Sequence, residues 1–123
     1  MTQKKILVID DNPVVLRMNE SLLRSAGYDV ISASDGEEGY RKACAENPAL
    51  ILLDVILPKM HGFELCQRLK HDPQTSHIPV IIVTGTGLEE VARNEPDIGA
   101  DGCLAKPYNR EQLEEAIKKA IGV

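Results

Sequence analysis

The sequence contains few aromatic residues. Three Tyr, one Phe and no Trp make up 3% of its 123 residues, although hydrophobic residues reach 43%. A chain of this length is one domain of ordinary size, and its core must be built mainly from aliphatic side chains. Such a core suits the buried strands of a parallel sheet better than a β-sandwich.

Positive charge is also scarce. The 14 Lys and Arg residues are outnumbered by 19 Asp and Glu residues, which gives a net charge of -5. This balance argues against direct nucleic-acid binding, because such a surface needs clustered basic residues. It is compatible with binding a cation.

Signals for disulfides, export and membrane insertion are missing. Cys44, Cys66 and Cys103 are odd in number and widely spaced, so neither a disulfide framework nor a metal motif is predicted. The N-terminal residues lead directly into a strand-like segment without a signal-peptide pattern, and no apolar run approaches bilayer length. We therefore expect a cytoplasmic protein that does not insert into a membrane.

The sequence does contain a regular alternation of strand and helix patterns. Unbroken apolar runs at 6–9, 50–53, 80–83 and 103–105 predict strands that are covered on both faces. The more mixed segment 29–33 predicts an edge strand.

Helical patterns separate these strands. The first helix should follow the cap Asn12 and end at Gly27, with one apolar face made of Val15, Met18, Leu22 and Ala26. Ser34 and Glu37 predict a capping box for the second helix, whose inward residues should be Tyr40, Ala43 and Cys44. The third is marked by Phe63, Cys66 and Leu69.

The last two helices differ in clarity. The fourth, from about Leu88, is weakly periodic and interrupted at Pro96, whereas the fifth has the cap Asn109 and a clear apolar face. Five βα units in strict alternation predict an α/β fold with a parallel sheet. All of residues 1–123 are expected to form this one domain.

Polar residues follow four of the predicted strands. Asp10 and Asp11 follow the first strand, Asp54 the third, Thr84 the fourth and Lys106 the fifth. Sites of open α/β sheets lie at the carboxyl ends of the strands, so these side chains should converge. Three close carboxylates repel one another unless a cation neutralises them, and Mg²⁺ is the hard cation that suits oxygen ligands.

Such a group of residues is suited to accepting a phosphoryl group. A carboxylate can attack phosphorus and form an acyl phosphate, and Lys106, Thr84 and backbone amides would stabilise the charge on the transferring group. Each residue also has a plainer interpretation: helix capping for Asp10 and Asp11, a turn for Asp54, a strand position for Thr84 and a solvated charge for Lys106. Their joint occurrence favours the site.

Several separated segments resemble the receiver domains of response regulators. They are Ile-Leu-Val-Ile-Asp-Asp at 6–11, Leu-Leu-Asp-Val-Ile-Leu-Pro-Lys-Met at 52–60, Pro-Val-Ile-Ile-Val-Thr-Gly at 79–85, Gly-Ala-Asp at 99–101 and Lys-Pro-Tyr at 106–108. The resemblance runs from Ile6 to the last helix. It implies a flavodoxin-like, doubly wound (βα)5 fold whose five parallel strands lie in the order 2-1-3-4-5.

The resemblance also implies roles for the acidic residues. Asp54 would accept a phosphoryl group from a sensor histidine kinase or a histidine phosphotransfer protein. Asp11 would bind Mg²⁺ directly, Asp10 would act through water, and Asp54 and the backbone carbonyl of Ile56 would complete the metal site.

Thr84 and Lys106, by the same resemblance, would contact the phosphoryl oxygens, and the bond from Lys106 to Pro107 would be cis. The domain would catalyse only its own phosphorylation and slow dephosphorylation. It would then bind a downstream protein through the face of the fourth helix, fifth strand and fifth helix, or pass the phosphate on. No output domain is expected in this chain.

The sequence departs from the family at one important position. Cys103 stands three residues before Lys106, where many relatives have an aromatic residue that rotates on phosphorylation, and Tyr108 is not assumed to replace it. Two other functions fit less well. A haloacid dehalogenase-type phosphatase needs an acid where Asn12 stands, and the acidic loop after the first strand would repel a flavin phosphate. The complete set of Asp, Thr and Lys residues also argues against a degenerate receiver that serves only for docking.

Overall fold

The structure, a computed structural model, describes residues 4–54, 62–84, 99–106 and 108–122. Within these ranges the elements, numbered in chain order, are β1 Lys5–Ile9, α1 Pro13–Ser25, β2 Asp29–Ala33, α2 Gly36–Glu46, β3 Leu50–Asp54, α3 Gly62–His71, β4 Val80–Thr84, β5 Gly102–Ala105 and α4 Arg110–Ile121. Helix α4 is thus the fifth helix predicted from the sequence. The fourth predicted helix, from about Leu88 to Pro96, lies outside the described residues.

The five strands form one parallel sheet in the order β2-β1-β3-β4-β5, which confirms the predicted fold. Strand β2 lies at an edge, as its mixed pattern indicated. The register pairs Ile9 with Leu53 and Asp54 with Val83. The strands therefore end together, and the residues that follow them lie along one edge of the sheet.

Aliphatic side chains fill both faces of this sheet, as the scarcity of aromatic residues predicted. Helices α2 and α3 cover one face, and α1 and α4 cover the other. Cys66 of α3 is fully buried between the sheet and the α2–α3 layer, and this burial raises the pKa of its thiol to about 12. None of the helices in the described part of the chain is both long and apolar enough to cross a membrane.

The buried face of α1 is shifted by about one residue from the predicted one, of which Leu22 still packs against the core. Met18 is 59% exposed, whereas Asn19 and Leu23 are buried. Two apolar rows run side by side along this helix, and its packing on the sheet selects the row next to the predicted one. Asn19 can take a buried place in that row because Tyr108, far away in the sequence, donates a hydrogen bond to it.

The cap of α2 also lies one residue later than predicted. Asp35, not Ser34, is the N-cap, and its side chain accepts a hydrogen bond from the backbone N–H of Glu38 at 2.8 Å. The Glu38 side chain accepts in return from the backbone N–H of Ser34 at 2.7 Å. Reciprocal hydrogen bonds between Asp35 and Glu38 and between Glu38 and Ser34 thus define the boundary. Further along α2, Gly39 faces β1, where a Cβ atom would stand only 2.5 Å from the Cδ1 atom of Ile9, so the absence of a side chain allows this close approach of helix and sheet.

Candidate functional site

The carboxyl edge of the sheet carries a group of three carboxylates. One carboxylate oxygen from each of Asp10, Asp11 and Asp54 lies within 4.8 Å of the others. Asp10 and Asp54 are neighbours because β1 and β3 pair in parallel. Asp10 is 3% exposed, Asp54 is partly buried and Asp11 is exposed, so the group opens from the sheet toward solvent. Oxygen donors in this arrangement can hold a hard cation.

Asp10 is fixed by the turn that enters α1. Its Oδ1 atom accepts a hydrogen bond from the backbone N–H of Asn12 at 2.9 Å. The Asn12 side chain in turn caps α1 by accepting from the N–H of Val14 at 2.9 Å. Asn12 is thus the cap of α1, as predicted, and the alternative role of Asp10 and Asp11 as helix caps is not observed. The Oδ2 atom of Asp10 contacts Lys106 instead.

Lys106 joins two of the three carboxylates. Its Nζ atom lies 3.2 Å from Asp10 Oδ2 and 3.4 Å from Asp54 Oδ2. Burial lowers the pKa of Lys106, but the negative charges of Asp54 and Asp10 outweigh this effect and leave the pKa raised. The side chain therefore stays protonated at neutral pH. Because the group contains three carboxylates and Lys106 contributes only one positive charge, an excess of negative charge remains that a further cation could neutralise.

Thr84 ends β4 at the same edge and is only 5% exposed. Its backbone carbonyl accepts a hydrogen bond from the backbone N–H of Lys106 at 2.8 Å, so the two residues predicted to contact a phosphoryl group are tied through their main chains. Cys103 lies partly buried against the α2–α3 side of the core. The predicted carbonyl ligand Ile56 and the residue Pro107 lie outside the described residues.

Tyr108 and Asn19 form a contact beside the site that the sequence did not predict. The Tyr108 hydroxyl donates a hydrogen bond to the Asn19 side-chain oxygen across 89 residues of chain. Burial raises the pKa of Tyr108 to about 12, and the nearby negative charges of Asp10 and Asp54 add to the rise. A polar Asn among the apolar positions of α1 was the available signal, but it did not reveal its partner.

Comparison with known proteins identifies the family. The family model of the response regulator receiver domain matches residues 6–118. The chain belongs to this family. Receiver domains are phosphorylation-dependent switches of two-component systems, and this is the general function of the domain found here.

Individual relatives agree with this identification. The chain is 42% identical over 117 residues to the DNA-binding dual master transcriptional regulator RpaA of Synechocystis sp., a match that covers 95% of this chain and 48% of that protein. The chain thus spans about half the length of the curated transcriptional regulators that it matches.

Solved receiver structures share the whole fold. Chemotaxis protein CheY4 of Vibrio cholerae superposes with a TM-score of 0.91 at 31% identity, covering 97% of this chain and 99% of that one. The receiver domain of sensor histidine kinase PA1611 from Pseudomonas aeruginosa gives a TM-score of 0.90 at 30% identity, covering 99% and 100%. In that protein a magnesium ion is coordinated in the active-site cleft.

Proposed function

We propose that this receiver domain accepts a phosphoryl group on Asp54 from a phosphohistidine donor, either a sensor histidine kinase or a histidine phosphotransfer protein. The observation that carries the proposal is the meeting of three carboxylates within 4.8 Å with a lysine that contacts two of them. All of residues 1–123 are assigned to the one domain, and the match over 6–118 supports this.

In the transfer step, a carboxylate oxygen of Asp54 attacks phosphorus. The P–O bond of the acyl phosphate forms while the P–N bond of the donor breaks, and the imidazole nitrogen keeps the electron pair. Asp54 suits this role because its side chain is 13% exposed, held in place yet open to a donor. The Lys106 ammonium and the Thr84 hydroxyl would donate to the phosphoryl oxygens.

The carboxylates of Asp10, Asp11 and Asp54 would hold Mg²⁺, together with the carbonyl of Ile56. Their donor set fits the ion, because it consists of oxygens with excess negative charge on an open edge. When bound, Mg²⁺ supplies positive charge that offsets the charge of the phosphoryl oxygens. Both carboxylate oxygens of Asp10 already accept hydrogen bonds, from the backbone N–H of Asn12 and from Lys106, which favours a contact of Asp10 with the ion through water and leaves direct binding to Asp11.

The catalysis proposed for the domain is limited to its own phosphorylation and slow dephosphorylation. The phosphorylated form would bind a downstream protein through the face made by β5, α4 and the predicted fourth helix, or would pass the phosphate on. The net charge of -5 supports a protein rather than a nucleic acid as the direct partner. A cytoplasmic location is supported by three cysteines that are all thiols.

The test is phosphorylation of Asp54→Asn by acetyl phosphate with Mg²⁺, followed by intact-mass measurement. We expect the wild-type chain to gain one phosphoryl group and the variant to gain none, because the amide cannot attack phosphorus. Asp29→Asn, at the exposed start of β2, is the matched control and should be labelled like the wild type. Normal labelling of Asp54→Asn would refute the assignment.

A further inference from the structure

Lys106 is held by a short segment that is fixed on both sides. Before it, β5 pairs with β4, and the Lys106 N–H continues that pairing to the Thr84 carbonyl. After it, Asn109 caps α4 in a capping box, accepting from the N–H of Gln112 at 2.8 Å while the Gln112 side chain accepts from the N–H of Asn109 at 3.0 Å. Tyr108 lies between these two anchors.

Tyr108 adds a third anchor that reaches a different element. Its ring packs against the core on the α1–α4 side of the sheet, and its hydroxyl donates to Asn19. Asn19 lies in the middle of α1 and is 5% exposed, so helix packing fixes its position. The segment that carries Lys106 is therefore tied to α1 by a buried hydrogen bond.

Packing alone does not fix Tyr108 on the α1 side. A cavity of about 200 Å³ adjoins the ring, and its lining residues are Val15, Met18, Asn19, Leu22, Lys106 and Tyr108. Because side chains do not fill the space between the Tyr108 ring and α1, the position of the ring depends largely on the hydrogen bond to Asn19. Lys106 also lines this cavity, so a shift of the Tyr108 ring into it would change the position of the lysine side chain.

We propose that Tyr108 is a positioning residue for the phosphorylation reaction: its bond to Asn19 holds Lys106 between Asp10 and Asp54. This inference rests on the proposed function of Asp54. Lys106 has two opposing effects when it is held there. It neutralises carboxylates that a cation would otherwise bind, and it stands ready to contact the phosphoryl group on Asp54. A loosened Lys106 should therefore help metal binding and impair phosphoryl transfer.

The test is Tyr108→Phe, which removes only the hydroxyl. We expect the affinity for Mg²⁺, measured by titration calorimetry, to rise roughly threefold because competition from Lys106 weakens. At saturating Mg²⁺, the rate of labelling by acetyl phosphate should fall roughly three- to tenfold because Lys106 is misplaced. Acetyl phosphate makes no protein–protein contacts, so the rate reports on the site and not on docking of a donor protein.

Opposite signs in the two measurements separate positioning from general destabilisation. Tyr28→Phe is the matched control, since Tyr28 packs in the same core layer but lies outside the Lys106 segment; both values should stay as in the wild type. The double variant Asn19→Leu/Tyr108→Phe replaces both hydrogen-bonding partners by apolar groups, which restores stability without restoring the tie. It should behave like Tyr108→Phe.

Three results would each overturn the positioning role. The first is an Mg²⁺ affinity that is unchanged in both Tyr108→Phe and the double variant, and the second is weaker Mg²⁺ binding. The third is recovery of the wild-type labelling rate in the double variant. Failure of the wild-type chain to label would instead refute the proposed function of Asp54. The Mg²⁺ titrations need no phosphoryl transfer and would still decide whether Tyr108 holds Lys106.

Discussion

Lysines meet carboxylates at both ends of this sheet, but the two regions differ in how well their charges are matched. At the amino end of β4 and β5, Lys70 lies 2.7 Å from Asp101 and also donates to the carbonyl of Ile78 at 2.8 Å. Asp101 accepts in addition from the backbone N–H of Val80 at 2.8 Å. One cation pairs with one anion here, and each of the two side chains also forms a hydrogen bond with a backbone group.

At the carboxyl end, the contacts of Lys106 with Asp10 and Asp54 are longer, at 3.2 Å and 3.4 Å. These two carboxylates form a group of three with that of Asp11. The pair at the amino end serves to hold α3 against the strands. The group at the carboxyl end is short of positive charge. The Mg²⁺ proposed to bind there would supply this charge and so make the site able to accept the negatively charged phosphoryl group. Proximity of opposite charges alone does not distinguish a functional site from a structural ion pair, and here the excess of carboxylates at the carboxyl end is what separates the two regions.

The effect of Mg²⁺ on the free energy of unfolding should distinguish the two ends of the sheet most strongly. At a free Mg²⁺ concentration one hundredfold above the dissociation constant, the free energy of unfolding should rise by about 2.7 kcal/mol. Denaturant unfolding with and without Mg²⁺ measures this increment. It should be lost in Asp11→Ala and kept in Asp101→Asn. An equal increment in both variants would mean that the ion binds elsewhere.

Removing each lysine should separate stability from function. Lys70→Met should lower the free energy of unfolding by about 2 kcal/mol, because two hydrogen bonds to a charged group are lost, and should leave the labelling rate unchanged. Lys106→Met should cost less stability but lower the labelling rate on the order of tenfold to a hundredfold. Equilibrium unfolding and acetyl phosphate labelling test this. If Lys70→Met slowed labelling as much as Lys106→Met, the proposed division would be wrong.

The packing around Lys70 can be tested with two glycines. Gly99 and Gly27 both have positive φ, at 80° and 94°, but a Cβ on Gly99 would lie 3.2 Å from Lys70 Cγ, and one on Gly27 would meet nothing within 4 Å. Each change to Ala should cost about 1 kcal/mol for the backbone. Gly99→Ala should cost several tenths of a kcal/mol more, measured by equilibrium unfolding. Equal losses would show that Lys70 moves aside freely.

The Tyr108 hydroxyl should affect the pH dependence of stability, an effect that appears only in alkaline solution. The pKa of Tyr108 in the fold is about 12, above the ordinary value of 10.0. Its contribution to stability is therefore fully present below pH 10 and is lost as the pH rises toward 12. Tyr108→Phe should consequently show a shallower alkaline decline of unfolding free energy than the wild type. Part of the decline should remain, since the pKa of Lys106 is also raised. Parallel declines would place the hydroxyl in a more exposed setting.

The sequence predicted the features that depend on local pattern and strand order. Unbroken apolar runs predicted the strands to within about one residue, because β1, β3 and β4 are covered on both faces. The same expectation was wrong for β5, which lies at an edge of the sheet and is only partly buried. The convergence of Asp10, Asp11 and Asp54 followed from topology, since parallel strands end at one edge. The caps Asn12 and Asn109 followed from local hydrogen bonding. The roles given to Asp10, Asp11, Asp54, Ile56, Thr84 and Lys106 remain predictions.

Only the tertiary structure decided which of two adjacent rows of residues α1 buries. Both rows contain apolar residues, so the rotation of the helix about its axis depends on the side chains that pack against it. Asn19 lies in the buried row through its bond to Tyr108, and Gly39 allows α2 to approach Ile9 of β1 closely. The pairing of Lys70 with Asp101 likewise joins α3 to the start of β5. Local pattern determines which elements form and where they end. Contacts between distant residues determine how each element is turned, because only the assembled core offers those partners.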